Sequence, residues 1–254
     1  MKKHQLWNLL NDDWRKLLSI NYFFNTEFIS EHRETTLNFG VNPFDLYKYR
    51  FGKEYIESLT EQEFVQKMEH ISVLYLASSD ITELDCVKLF TNLEILDFSF
   101  NHVVDISPLA DMPRLKKIIA DSNSISDITS IEKTISLEEL ILRHNQINNL
   151  AAIGQLNNIR FLDIGQNRVD TLDKLSSLAK LEEISIDSNF VTDIFTLGSL
   201  TNLRMINMSV NNISNVDRLL ELPLLEFVDM TGTLITPSES IVTQLRNKKI
   251  EVII

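Results

Sequence analysis

Residues 93–115 read LEILDFSFNHVVDISPLADMPRL, and the pattern in them returns every 22 residues along most of the chain. Asn101 stands near its centre, and asparagine recurs at Asn123, Asn145, Asn167, Asn189 and Asn211. The same step lands on Ser79 in front and Thr233 behind. Apolar residues hold fixed places around this slot. They stand eight, five and three residues before it, as Leu93, Leu96 and Phe98, and two, five, eight and eleven after it, as Val103, Ile106, Leu109 and Met112. Only isolated positions such as Thr134 and Ser238 break the rule. A constant period without insertion marks a stack of equivalent coils, each too small to bury its apolar side alone.

The residues five and three before the slot alternate as in a short strand with one face buried. The polar slot then turns the chain, and a return segment carries it to the next layer. Neighbouring strands are expected to be parallel and about 4.8 Å apart. At the bend, an asparagine amide has a donor and an acceptor for backbone groups that the turn leaves unpaired. The end slots, Ser79 and Thr233, fit the rule that terminal repeats are atypical.

The frame LxxLxLxxNxIxxIxxL resembles the leucine-rich repeats. The 22-residue length and the Asp105-to-Ala110 run DISPLA look like the bacterial internalins. The same length occurs in the repeat regulatory subunit of protein phosphatase 1. The resemblance spans roughly residues 59–254 and implies an α/β fold: a right-handed leucine-rich-repeat solenoid with a parallel sheet on its concave face and an α-helical N-terminal cap. Unlike the surface internalins, the protein is expected to lack a secretion signal and a wall-anchoring tail after Ile254.

Composition narrows the function. The 254 residues carry a net charge of −12, which speaks against counterion-driven nucleic-acid binding and against docking on an anionic membrane. Most of that charge lies in residues 71–254, with 15 Lys/Arg against 25 Asp/Glu, so a partner with a basic surface is the electrostatic complement. The lone Cys86 leaves no intrachain disulfide and is read as an inert thiol; with no stretch of about 18 apolar residues, the expected location is the cytoplasm. Phosphate-loop, dinucleotide, zinc-protease and serine-nucleophile motifs are absent, so no catalytic residue, metal or cofactor is expected.

The domains are read as a helical cap or small helical module over 1–58 and a repeat domain over 59–254. The latter holds about eight repeats from Ile71 to Ser238, then a cap helix and strand. Thr60 and Glu63 form a capping-box pattern opening a helix through about His70. Leu6, Leu10, Trp14, Leu17 and Leu18 have helical spacing over residues 4–19. The aromatic-rich stretch from Asn21 to Tyr55 suggests one or two further helices. Pro237 opens an expected helix over Ser238 to Arg246, and Ile250 and Val252 occupy the core places of a ninth strand, with Arg246, Lys248 and Lys249 guarding its edge.

Strand positions pointing away from the core, at six, four, two and one before the slot, line the concave face. Exposed strand positions are polar unless something covers them, so Ile119, Ile141, Phe100 and Phe161 are informative. Arg143 and His144 stand beside them, with Tyr75 further out and Asp97, Asp121, Asp163 and Asp187 as a charged surround. An apolar and Arg/aromatic centre with a charged rim is the anatomy of a binding hot spot. The expected role is therefore non-enzymatic: a monomer binding a protein partner on its concave face, as a regulatory or inhibitory subunit. A bacterial factor aimed at a host or rival protein, or the targeting arm of an N-terminal effector module, are the alternatives.

Overall fold

The computed structural model describes Trp14, Arg15, Leu18 and residues 58–254. It contains a nine-stranded parallel sheet whose spatial order is the sequence order. The strands are β1 (Val73–Tyr75), β2 (Ile95–Asp97), β3 (Lys117–Ile119), β4 (Glu139–Ile141), β5 (Phe161–Asp163), β6 (Glu183–Ser185), β7 (Met205–Asn207), β8 (Phe227–Asp229) and β9 (Glu251–Ile253). From β1 to β8 each residue pairs with the one 22 positions later, as an unbroken period requires: Leu96 with Ile118, Ile118 with Leu140, Leu140 with Leu162. The short coil leaves room for only a 3-10 turn on the way back, as in Ser107–Asp111 and Asp173–Ser177.

The apolar columns meet inside. In the third coil Leu115, Ile118, Ala120, Ile125, Ile128 and Ile131 are all buried. Each leucine or isoleucine among them contributes roughly 1.5–3 kcal/mol of transfer free energy. Thr134, the exception in the apolar pattern, is also buried, and its hydroxyl is satisfied by donating to the Ile131 carbonyl at 2.6 Å.

The asparagines form a single file. Asn145 accepts at Oδ1 from the Ile125 amide at 3.0 Å, and its Nδ2 donates to the Ala120, Leu142 and Arg143 carbonyls. Asn167 repeats this one coil later, accepting from Ile147 and donating to Leu142. Each asparagine thus ties its own bend to the coil before it. Thr233 lacks that reach; its hydroxyl bonds its own coil at Met230.

At the front, α1 (Glu61–Glu69) opens with the expected capping box between Thr60 and Glu63, and Met68 is buried against the first coil. Trp14 and Leu18 are helical and buried; the Trp14 indole donates to the Glu83 carbonyl at 3.0 Å and its ring lies 6.4 Å from that of Phe90. The rest of the helix expected over 4–19, and the helices expected between Asn21 and Tyr55, lie outside the described residues. At the back, α2 (Ser240–Asn247) begins two residues later than the sequence suggests, because the Glu239 carboxylate takes the Thr236 amide and holds residues 236–239 in a turn. The ninth strand is present, and the Arg246 guanidinium reaches the carbonyl of Val252.

Candidate functional site

The strands end four residues before the slot, short of the outermost positions that the sequence assigns to them. The residue one before the slot has a left-handed backbone in every coil: Ser78, Phe100, Ser122, His144, Gln166, Ser188 and Val210 have φ between 52° and 57°, and Gly232 has φ 70°. Phe100 and His144 therefore sit in a turn on the rim of the sheet, not on a strand. The bend is held by bonds to the next coil, as Phe100 N–H to the Asp121 carbonyl at 2.8 Å. Phe100 is 59% exposed. A non-glycine residue in this region costs roughly 1–2 kcal/mol, and the exposed phenyl ring returns nothing to the core for it.

On the sheet face, Tyr75, Asp97, Ile119, Ile141 and Asp163 lie in one row across β1 to β5. Tyr75 is 58% exposed, while Ile119, Ile141 and Phe161 are half-buried. Beyond the strands, the next row brings in Asp121, Arg143, Gly165 and Asp187. Arg143 forks onto Asp187 with two bonds of 2.6 Å, spanning two coils. Gly165, in the coil between, makes this possible: a Cβ there would stand 2.4 Å from both Arg143 Nη1 and Asp187 Oδ1.

Asp187 is consequently only 5% exposed, which removes it from the charged surround expected from the sequence. Its carboxylate also accepts from Ser185 Oγ at 2.8 Å and Asn207 Nδ2 at 3.2 Å, and Ser209 Oγ donates to Asn207 Oδ1 at 2.8 Å. Arg143, Asp187, Ser185, Asn207 and Ser209 thus form one internally satisfied network. Burial pushes the Asp187 carboxyl up, but the hydrogen bonds from Arg143 and Ser185 outweigh it and hold it below the usual carboxylate range. Asp163 goes the other way. Burial pushes its carboxyl up, and the Gly165 amide at 2.9 Å and Arg143 at 3.5 Å offset only part of that.

The sequence singles out Arg143 but not its partners, since Ser185, Asn207 and Ser209 are unremarkable polar residues. The available signal was Gly165, the glycine in that row, flanked one coil away on either side by opposite charges. Equally unforeseen is a polar column four after the slot. Asp105, Asp127, Asn149, Asp193 and Asn215 each accept from the amide two residues on, opening the return turn.

Comparison with known proteins agrees with this architecture. Residues 91–133 and 135–177 match the family model described as Leucine Rich repeats (2 copies). Over 91 residues the chain is 31% identical to the Leucine-rich repeat-containing protein 56 of Mus musculus; the aligned part is 35% of this chain and 16% of that protein, so the chain matches a small fraction of its relative's length. Among solved structures, an internalin (inlF) of Listeria monocytogenes superposes with a TM-score of 0.67 at 18% identity, covering 99% of this chain and 70% of the internalin. The internalin C2 of the same organism gives 0.53 at 25% identity, covering 67% and 82%. Such solenoids present extended concave surfaces for binding. Among the described residues, no helix is long and apolar enough to cross a membrane.

Proposed function

We propose that this leucine-rich-repeat protein is a non-enzymatic interaction module that holds a partner protein on its concave face, as a regulatory or inhibitory subunit. One observation carries the reading: Ile119 and Ile141 pair side by side on β3 and β4, in the row that the exposed Tyr75 opens, and both are half-buried and not sealed in the core. The contact set is Tyr75, Asp97, Phe100, Ile119, Asp121, Ile141, His144, Phe161 and Asp163. Arg143 and Asp187 shape the floor beneath. A sheet of nine strands spans about 40 Å, enough for a standard interface of roughly 800 Å² per partner. The asparagine file keeps the surface preorganised, which lowers the ordering penalty on binding. A capping role for the N-terminal segment is supported by Trp14, which packs on Phe90 of the first coil and bonds Glu83.

The test is affinity capture from native extract with the wild type, Ile119→Arg/Ile141→Arg, and a control, Glu138→Lys, on the edge where the chain enters β4. The wild type and the control are expected to retain the same protein. The double variant is expected to lose it while melting at a similar temperature. Retention of that protein by the double variant overturns the assignment to the concave face.

A further inference from the structure

The two halves of the concave face differ in how their polar groups are satisfied. From Arg143 to Ser209 the floor is a closed network, with Asp187 bridged by Arg143 and approached by Ser185 and Asn207. Towards β2 and β3, Asp97 and Asp121 have only local donors among the described residues. Asp97 accepts from the Ser99 amide at 3.0 Å and from the Ser99 hydroxyl, and Asp121 accepts from Ser122 Oγ at 3.0 Å. The cations nearest them on the face, Lys117 and Arg143, are already bridged, to Glu139 at 2.5 Å and to Asp187. Neither Asp97 nor Asp121 has an ion pair among the described residues.

Among the described residues, the charge on Asp97 is not needed for the bond it makes. Its bond to the amide two residues on is made equally by neutral Asn207, which accepts from the Ser209 amide at 3.2 Å. Asparagine at position 97 would do the same local work. Beside these carboxylates stand the exposed Tyr75 and Phe100 and the half-buried Ile119, so surplus negative charge and accessible apolar surface coincide. Asp163 closes this half on the far side, and burial holds its carboxyl above the usual range.

Resting on the concave-face reading above, we infer that the partner docks on the half from Tyr75 to Phe161 through an extended polypeptide segment bearing a lysine or arginine. The cation lies between Asp97 and Asp121, and its apolar neighbours lie on Ile119 and Ile141. Asp97 ends β2 and Asp121 follows the end of β3 by two residues, so the two carboxylates belong to neighbouring coils and adjacent rows, and the cation takes its place between those rows. A buried pairing of this kind fixes the register of the bound segment, and the apolar contacts hold it.

The test uses the full chain and two synthetic twelve-residue peptides, one alternating arginine and leucine, the other glutamate and leucine, with binding read by fluorescence anisotropy. Two variants remove the same charge from opposite halves: Asp97→Asn/Asp121→Asn and Glu183→Gln/Asp229→Asn. The arginine peptide is expected to bind the wild type, to weaken at least ten-fold on Asp97→Asn/Asp121→Asn, and to stay within two-fold on Glu183→Gln/Asp229→Asn. The glutamate peptide is expected not to bind. Equal weakening by both variants, no weakening by the first, or no binding of the arginine peptide to the wild type overturns the proposal. If the captured cellular partner is lost with Ile119→Arg/Ile141→Arg but kept by Asp97→Asn/Asp121→Asn, the basic segment falls while the concave-face reading stands.

Discussion

The edge where the chain enters the strands and the concave floor a short way along them handle charge in opposite ways. Seven residues before the slot, the edge reads Glu94, Lys116, Glu138, Arg160, Glu182, Arg204 and Glu226, alternating in sign from coil to coil. Neighbours pair: Lys116 with Glu94 at 2.8 Å, Arg160 with Glu182 at 2.6 Å, and Arg204 with Glu226. A depression on this edge is lined by Glu138, Asn158, Arg160, Lys180, Glu182 and Asn202; within it Arg160 pairs with Glu182 and Lys180 donates to Asn158. The floor does not alternate. Its cations sit with Glu139 and Asp187, and Asp97 and Asp121 remain unbridged among the described residues. In a parallel stack, identical places in successive coils lie side by side, so a column of one sign repels itself. The edge resolves much of that repulsion internally, and the floor leaves Asp97 and Asp121 without an ion pair among the described residues.

Five experiments break or sharpen this contrast. Both regions hang on the asparagine file, so the largest loss is expected from Asn145→Ala. It strips the Ile125 amide of its partner, leaves the Ala120 carbonyl only the 3.3 Å bond from Asn123, and is expected to lower unfolding free energy by about 3 kcal/mol in urea titration. A loss under about 1 kcal/mol would mean that the file is not what fixes the floor.

Next comes the clamp. Gly165→Ala puts a methyl group between Arg143 and Asp187, forces them apart, and is expected to cost about 2 kcal/mol in the same titration. Arg143→Met removes the same bridge without crowding, and its effect is expected to depend on pH. Because the folded state depresses the Asp187 pKa, that part of the stability is present above the unfolded carboxylate value, about 3.9, and is lost as pH falls through the lower folded value. The stability gap between wild type and variant should therefore shrink in acid. A gap that stays constant down to the acid transition would show that the bridge contributes no charge-dependent stability.

Asp163→Asn tests the opposite sign on the same floor. Its folded pKa is raised, so the ionised carboxylate opposes folding at every pH above that folded value. The variant is expected to be slightly more stable at neutral pH, by under about 1 kcal/mol, with the gain vanishing below the unfolded value near pH 4. A loss of stability at neutral pH would reverse the account of the floor. The smallest effect belongs to the edge. A double-mutant cycle on Arg160 and Glu182 is expected to return under about 1 kcal/mol of coupling, falling further in high salt.

The register of the core was legible because the period is unbroken. Leu96, Ile118, Leu140 and Leu162 occupy one column in the sequence and pair across one sheet in space. The capping box at Thr60 and the ninth strand were legible for a similar reason, since each rests on contacts local in sequence or carried forward by the repeat. The rim was less so. Polarity alone does not show that Phe100 and His144 have turned into a left-handed bend, because a phenylalanine gives no hint of positive φ.

By itself, the sequence determined the number of coils, their apolar columns and the asparagine file, because a repeat shorter than its own core has no stable arrangement except stacking. Only the tertiary structure decided which charges are consumed and which are left over. Arg143 and Asp187 are 44 residues apart and meet across Gly165, a contact that depends on side-chain reach over an intervening coil and not on the period. The period places side chains in rows, and the distances between their tips decide which of them pair.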